Sequence, residues 1–160
     1  MIYLTDNHNI VKLGFDFPES LPSFLDESDS KFERWVPIVM DIVTPISTMA
    51  ITEKLAGEMS VYEVESVYYE LSELLDSTDI QENKEFSHFN SAADFEFAFE
   101  YLYVDNIIEA TIWFRYAESP QGLLKGYCIG YKFCVEVDEL RNFIEGFRAR
   151  FNELFPQCAF

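Results

Sequence analysis

The strongest constraint on the fold of this chain is an unbroken alternation. Phe95, Phe97, Phe99, Tyr101 and Tyr103 are interleaved with Asp94, Glu96, Ala98, Glu100 and Leu102. Side chains of an extended strand point to opposite faces with a period of two, so this run predicts a strand with one aromatic face and one polar face. Asp105-Asn106 is suited to a two-residue hairpin turn leading into a second strand over Ile107–Tyr116. That turn sets an expected register. Val104 faces Ile107, and the inner pairs are Tyr103–Ile108, Tyr101–Ala110, Phe99–Ile112 and Phe97–Phe114. The outer pairs are Leu102–Glu109, Glu100–Thr111, Ala98–Trp113 and Glu96–Arg115, the last of opposite charge.

The rest of the chain punctuates itself in the same way. Ile2–Thr5 and Ile10–Phe17 read as strands joined at Asn7-His8-Asn9, with Val11, Leu13, Phe15 and Phe17 on one face. Pro18 to Ser30 reads as a polar loop. Trp35–Val43 and Ile46–Leu55 read as two strands around Pro45, with Pro37 marking an edge or a bulge. At Ser60 the period changes. Ser60-Val61-Tyr62-Glu63 has the spacing of a capping box, with Met59 placed to staple onto Val64. Val61, Val64, Val67, Tyr68, Leu71, Leu74 and Leu75 form one helical stripe, with Glu63, Glu65, Glu70 and Glu73 off it. This predicts a helix of about 16 residues. A linker over Ser77–Lys84 and a short strand near Phe86–Phe89 precede the aromatic hairpin. Ser119-Pro120-Gln121-Gly122 turns into a last strand with Tyr127, Ile129, Tyr131, Phe133 and Val135 on one face. Asp138 is then expected to cap a final helix with the stripe Leu140, Phe143, Ile144, Phe147, Phe151, Leu154 and Phe155, stopped by Pro156. The order is ββββα-ββββα, a single α+β domain over 1–160 in which antiparallel sheet packs its aromatic face on two amphipathic helices. Most of the 16 Phe, 9 Tyr and 2 Trp belong to that core.

Composition narrows the function classes. With 29 acidic residues against 11 basic ones the chain carries a net charge of −18. That field repels phosphate, which argues against direct binding to nucleic acid or to an anionic membrane, and it attracts basic proteins. The first residues carry no signal-peptide pattern, and no apolar run is long enough for a membrane-spanning helix. Cys128, Cys134 and Cys158 are odd in number, and the first two sit about 20 Å apart along one strand, too far to bridge. They read as reduced cysteines of a cytoplasmic protein.

No pattern of residues supports catalysis. His8 and His88 have no cysteine or histidine at metal-ligand spacing. Neither a nucleophile elbow nor a phosphate-binding glycine loop occurs. Asp79 with Glu82-Asn83-Lys84 only faintly resembles a nuclease cluster, and Asp94 with Glu96 shares a strand face on which magnesium is conceivable. Solvated carboxylates explain both more simply. The expectation is a protein without cofactor, metal or catalytic residues.

The acid is unevenly distributed. Between Glu53 and Glu109 lie 15 acidic residues opposed only by Lys54 and Lys84, against 14 acidic and nine basic residues in the remainder. This segment spans the exposed face of the first helix and the outer face of the hairpin. There Asp94, Glu96, Glu100 and Glu109 surround Trp113 and Arg115. Carboxylates around an exposed aromatic match a steering patch with an anchor, so Asp94, Glu96, Glu100, Glu109 and Trp113 are the expected partner-binding residues. A loop covering Trp113 is the alternative.

An N-terminal strand pair, a strand opening at Trp35, a capped helix, an F-x-F-x-F hairpin and a closing helix together resemble the WapI-type immunity proteins. The closing segment reads Phe133-Cys134-Val135-Glu136-Val137-Asp138-Glu139-Leu140 and ends in Leu154-Phe155-Pro156. The strand–helix repeat is also similar to the Whirly-like layout shared by some immunity proteins of contact-dependent growth inhibition systems. The resemblance implies a cytoplasmic antidote that binds and neutralises a toxin domain, often a basic nuclease, and it carries no specific residues with it. Two other classes are weighed against it. One is an acidic adaptor or nucleic-acid mimic that regulates a DNA- or RNA-binding protein. The other is a hydrolase with a carboxylate-bound metal.

Overall fold

The computed structural model describes residues 1–18, 31, 34–44, 47–51, 57–80, 82–89, 95–118 and 125–160. It is an α+β structure built from antiparallel sheets and two helices. Strands β1 (Ile2–Thr5), β2 (Lys12–Asp16), β4 (Val39–Thr44) and β5 (Ser47–Ile51) form one sheet in the order β1-β2-β4-β5. Between them in sequence, β3 (Trp35–Pro37) leaves that sheet and pairs with β6 (Glu58–Ser60). Helix α1 (Val61–Ile80) follows, then β7 (Lys84–Phe89), β8 (Phe95–Leu102), β9 (Ile107–Glu118) and β10 (Lys125–Val135), which form a second sheet in the order β10-β9-β8-β7. Helix α2 (Val137–Leu154) and a 3₁₀ turn at Pro156–Cys158 close the chain.

The first half therefore departs from the expected four strands. Six described strands precede α1, because the segment read as one strand from Trp35 to Val43 breaks at Ile38. Pro37 offers no amide to a ladder, and the Ile38 amide turns away to the Gly57 carbonyl at 2.8 Å. The strand read as Ile46–Leu55 is seen as Ser47–Ile51, and residues 45, 46 and 52–56 lie outside the described set. So do residues 19–30 of the polar loop and the turn at residues 119–122.

At the start of α1 the capping box is formed. The Ser60 amide donates to Glu63 Oε2 at 2.7 Å, and the Glu63 amide donates to Ser60 Oγ at 3.2 Å. Glu63 is consequently buried rather than on the solvent side of the helix, because its carboxylate is committed to the cap. The helix runs 20 residues, further than the 16 expected, and takes in Ser77–Ile80, where a linker was read. Ser77 and Thr78 are accommodated by donating their hydroxyls back to the Leu74 and Leu75 carbonyls. In α2 the N-cap is Glu136, not Asp138, and no side chain bonds to the cap. Asp138 and Glu139 instead lie in the first turn, where carboxylates suit the positive end of the helix dipole.

The aromatic hairpin has the expected faces and a different register. Phe95, Phe97, Phe99, Tyr101, Ile108, Ala110, Ile112 and Phe114 are all buried. The partners, however, are Phe95↔Phe114, Phe97↔Ile112, Phe99↔Ala110, Tyr101↔Ile108 and Leu102↔Ile107, a slip of two residues from the sequence expectation. The turn occupies Tyr103–Asn106. Of its residues only Asn106 adopts a positive φ, whereas the tight two-residue turn needs positive φ at both central positions. Tyr101 closes the loop by donating its hydroxyl to Asn106 Oδ1 at 3.0 Å. An even slip keeps every side chain on its face.

The two sheets share one core. Phe15 of β2 touches Phe97 of β8 at 6.4 Å between ring centroids, and Phe147 of α2 at 5.1 Å. Phe17 contacts Phe147, Phe151 and Phe155 at 5.3 to 5.9 Å. Thus α2 covers β1 and β2, α1 covers β7 and β8, and the helices touch each other. Asp16 pins this arrangement at the surface through the N-terminal amino group at 2.7 Å and Arg150 at 3.1 Å. Burial pushes the Asp16 pKa up, but hydrogen bonds from the amino terminus, Arg150 and the Phe17 amide outweigh it and hold the pKa below its ordinary value.

Two substitutions test this framework. Ser60→Ala removes one half of the capping box and is expected to lower unfolding stability by about 1 kcal/mol in urea titration. Phe147→Ala empties the junction of α2 and β2 and should cost about 3–5 kcal/mol, measured in the same way.

Candidate interaction face

The side of the second sheet opposite the helices carries the polar set of the alternation. In β7 this set is Glu85, Ser87 and Phe89; in β8 it is Glu96, Ala98, Glu100 and Leu102. β9 contributes Ile107, Glu109, Thr111, Trp113 and Arg115, and β10 contributes Cys128, Gly130, Lys132 and Cys134. Four of the five expected site residues are therefore brought to one surface. The fifth, Asp94, lies outside the described residues.

The register decides what these residues do. Glu96 is directly opposite Trp113, not Arg115, and its ion pair with Arg115 Nη2 runs diagonally. Arg115 also lies 4.4 Å above the centre of the Phe89 ring, a cation–π contact. Glu100 is flanked by Glu85 on one side and Glu109 on the other, so three carboxylates fall in one row across β7, β8 and β9. Like charges directly opposite each other repel. Lys132 relieves one of them by pairing with Glu109, and the Glu109 carboxylate raises the lysine pKa in return. Among the described residues Glu85 and Glu100 form no ion pair. A hollow of about 260 Å³ lies over Glu85, Glu100, Glu109 and Lys132.

Trp113 is 40% exposed. Its indole lies flat on Gly130 of the neighbouring strand, where a methyl group would fall inside the ring. It is thus an exposed aromatic held in one orientation by packing on backbone, which lowers the entropy lost when a partner covers it. Phe89, 48% exposed, is a second aromatic on this face that the sequence reading missed. The inward positions of Phe86 and His88 are the signal that would have placed Glu85, Ser87 and Phe89 outward.

More of the unpaired acid lies at the far end of α1. Glu65 is paired with Lys31 and Glu73 with Lys84, whereas Asp76, Asp79 and Glu82 form no ion pair among the described residues. A hollow of about 550 Å³ there is lined by Glu73, Asp76, Ser77, Glu82, Asn83 and Lys84. The last turn of α1 contains no basic residue. Asp76 and Asp79 therefore face the negative end of the helix dipole, where a carboxylate destabilises by about 0.3–1 kcal/mol. Acid at this position works against the helix that carries it.

Among the described residues no group of three or more His, Cys, Asp or Glu side chains is arranged to hold a metal ion. No described helix is long and apolar enough to cross a membrane. The three cysteines are free thiols, with Cys128 exposed and Cys158 buried. His88 lies on the other side of the sheet, beneath α1, with Nε2 3.9 Å from Glu63 Oε1. Burial lowers its pKa more than the carboxylates of Glu63 and Glu70 raise it. Comparison of the chain with protein-family models, curated proteins and solved structures returned no match.

Two outcomes are expected. Replacing Asp76 and Asp79 together with Asn should raise unfolding stability by about 0.5–1 kcal/mol, read from the urea midpoint at low salt. Because the folded state favours neutral His88, its contribution is complete above the unfolded pKa of about 6.5 and is lost as pH falls through the lower folded value. Stability should accordingly decline from pH 7 toward pH 5.5, and His88→Gln should flatten that decline.

Proposed function

We propose that this protein is a non-enzymatic immunity protein of a bacterial competition system, acting in the cytoplasm to bind and neutralise a cognate toxin, a basic nuclease domain being the best-fitting partner. The observation that carries this reading is acid placed where it opposes the fold. Asp76 and Asp79 stand at the wrong end of α1, and Glu85, Glu100 and Glu109 stand side by side across three strands. Solubility alone requires neither, since a net charge of about 2–8 in magnitude suffices for a small domain. A basic partner relieves both repulsions on binding.

Trp113 and Phe89 supply the apolar contact that charge alone does not, and aromatic anchors of this kind dominate binding energies. Around them the carboxylates attract a cationic surface from a distance and raise the rate of encounter. An antidote gains from speed of capture, because unbound toxin acts catalytically. Inhibition then follows from occupying the basic surface on which the toxin would hold nucleic acid.

The test is association with a purified candidate toxin domain, sought first among the genes upstream of this one. The association rate is expected to fall about tenfold or more between 0.05 and 0.5 M salt. Glu85→Lys with Glu100→Lys should reproduce that loss at low salt, whereas Trp113→Ala should act mainly on dissociation. Binding indifferent to both salt and charge reversal would overturn the mechanism, and no binding at all would overturn the assignment.

A further inference from the structure

We infer that β10 is a self-pairing edge, and that two copies of this chain associate through antiparallel β10–β10 pairing centred on Ile129. β10 is the outermost strand of its sheet and has 11 residues, the longest edge strand among those described. Its pairing with β9 is continuous from Tyr127↔Tyr116 to Val135↔Ile108, and Lys125↔Glu118 keeps the same register.

The direction of its free backbone groups follows from one hydrogen bond. Asn7 donates its amide to the Cys134 carbonyl at 3.0 Å, so Cys134 directs its backbone away from β9. Alternate residues of an antiparallel strand direct their amide and carbonyl to the same side, so Lys132, Gly130, Cys128 and Gly126 do likewise. Among the described residues the Asn7 bond is the backbone bond that a neighbouring strand or loop makes to this edge. Edge strands of this length are ordinarily guarded by proline, bulges or outward-facing charge. Lys132 is the natural guard, but its ammonium is drawn back across the sheet to Glu109.

Both charge and shape favour a second copy. The protein carries a net −18, yet β10 contains two lysines and no acidic residue, so acid does not oppose acid along this strand. With the two-fold axis at Ile129, Cys128 stands opposite Gly130 of the second copy, and Lys132 stands opposite its Gly126. Cys128 and Lys132 thus each meet a glycine, Gly130 being the one covered by the Trp113 indole. On the other face Ile129 meets its own copy, extending an apolar surface that is half-buried in one chain. The pairing continues the second sheet from four strands to eight.

Sedimentation at rising protein concentration tests this, in 0.02 M and 0.5 M salt. The expected result is a dimer whose fraction rises with salt, because salt screens repulsion between two anions. That is opposite in sign to the capture of a basic partner, so failure of either idea leaves the other standing. Cys128→Pro removes an outward amide that the β9 ladder does not use and should give a monomer with unchanged circular dichroism. Independently of how that variant folds, a bis-maleimide of about 8 Å should join Cys128 to Cys128 of the second copy, which the pairing places diagonally across the seam. A monomer throughout, a dimer unaffected by Cys128→Pro, or cross-links through Cys134 instead of Cys128 would each overturn the proposal.

Discussion

The contact between Phe15, Phe97 and Phe147 holds the molecule together, because each ring belongs to a different layer. Phe15 comes from the first sheet, Phe97 from the second and Phe147 from α2. Neither sheet closes its own core. The first is covered by α2 and the second by α1, and the rings of β2 and β8 are where the two halves become one apolar interior. Aromatic side chains suit this junction, since each buries a large area and packs edge to face or tilted without polar atoms to satisfy. The Asn7 amide on the Cys134 carbonyl adds a directional tie between the same two sheets.

Commitment of one face of every element to that interior dictates where the charge goes. A chain with 29 acidic residues must place nearly all of them outside, and among the described residues the outer face of the second sheet and the far side of α1 each carry a group of them. Among the described residues Asp6 and Glu63 are buried, each because its carboxylate is satisfied by backbone amides. What distinguishes the surface is therefore not that it is acidic but how the acid is paired. Glu96 and Glu109 are answered by Arg115 and Lys132, while Glu100 and Glu85 are left side by side.

The expected patch around Trp113 was accordingly legible in outline and wrong in detail. Period-two alternation placed Glu96, Glu100, Glu109 and Trp113 on one face, and they are on one face. Their neighbours differ from the sequence expectation because a tight turn at Asp105-Asn106 would set one register, whereas the loop spans four residues and shifts each pairing by two. The same limit applies in the first half. Pro37 signalled an interruption, but nothing near it in sequence indicates that Trp35–Pro37 pairs with Glu58–Ser60, some 20 residues on.

Local pattern was enough to establish the α+β class, the inward face of each strand, the capped start of α1, the aromatic core and the sign of the surface charge. These follow from backbone geometry and side-chain chemistry over a few residues, which the order of amino acids states directly. Register, the exchange of β3 out of its sheet, the pairing of each carboxylate and the outermost place of β10 in its sheet were decided only in three dimensions. Each depends on which distant segment lies alongside, and that is settled by loop length and by the packing of Phe15 against Phe97 and Phe147, not by any residue's own preference.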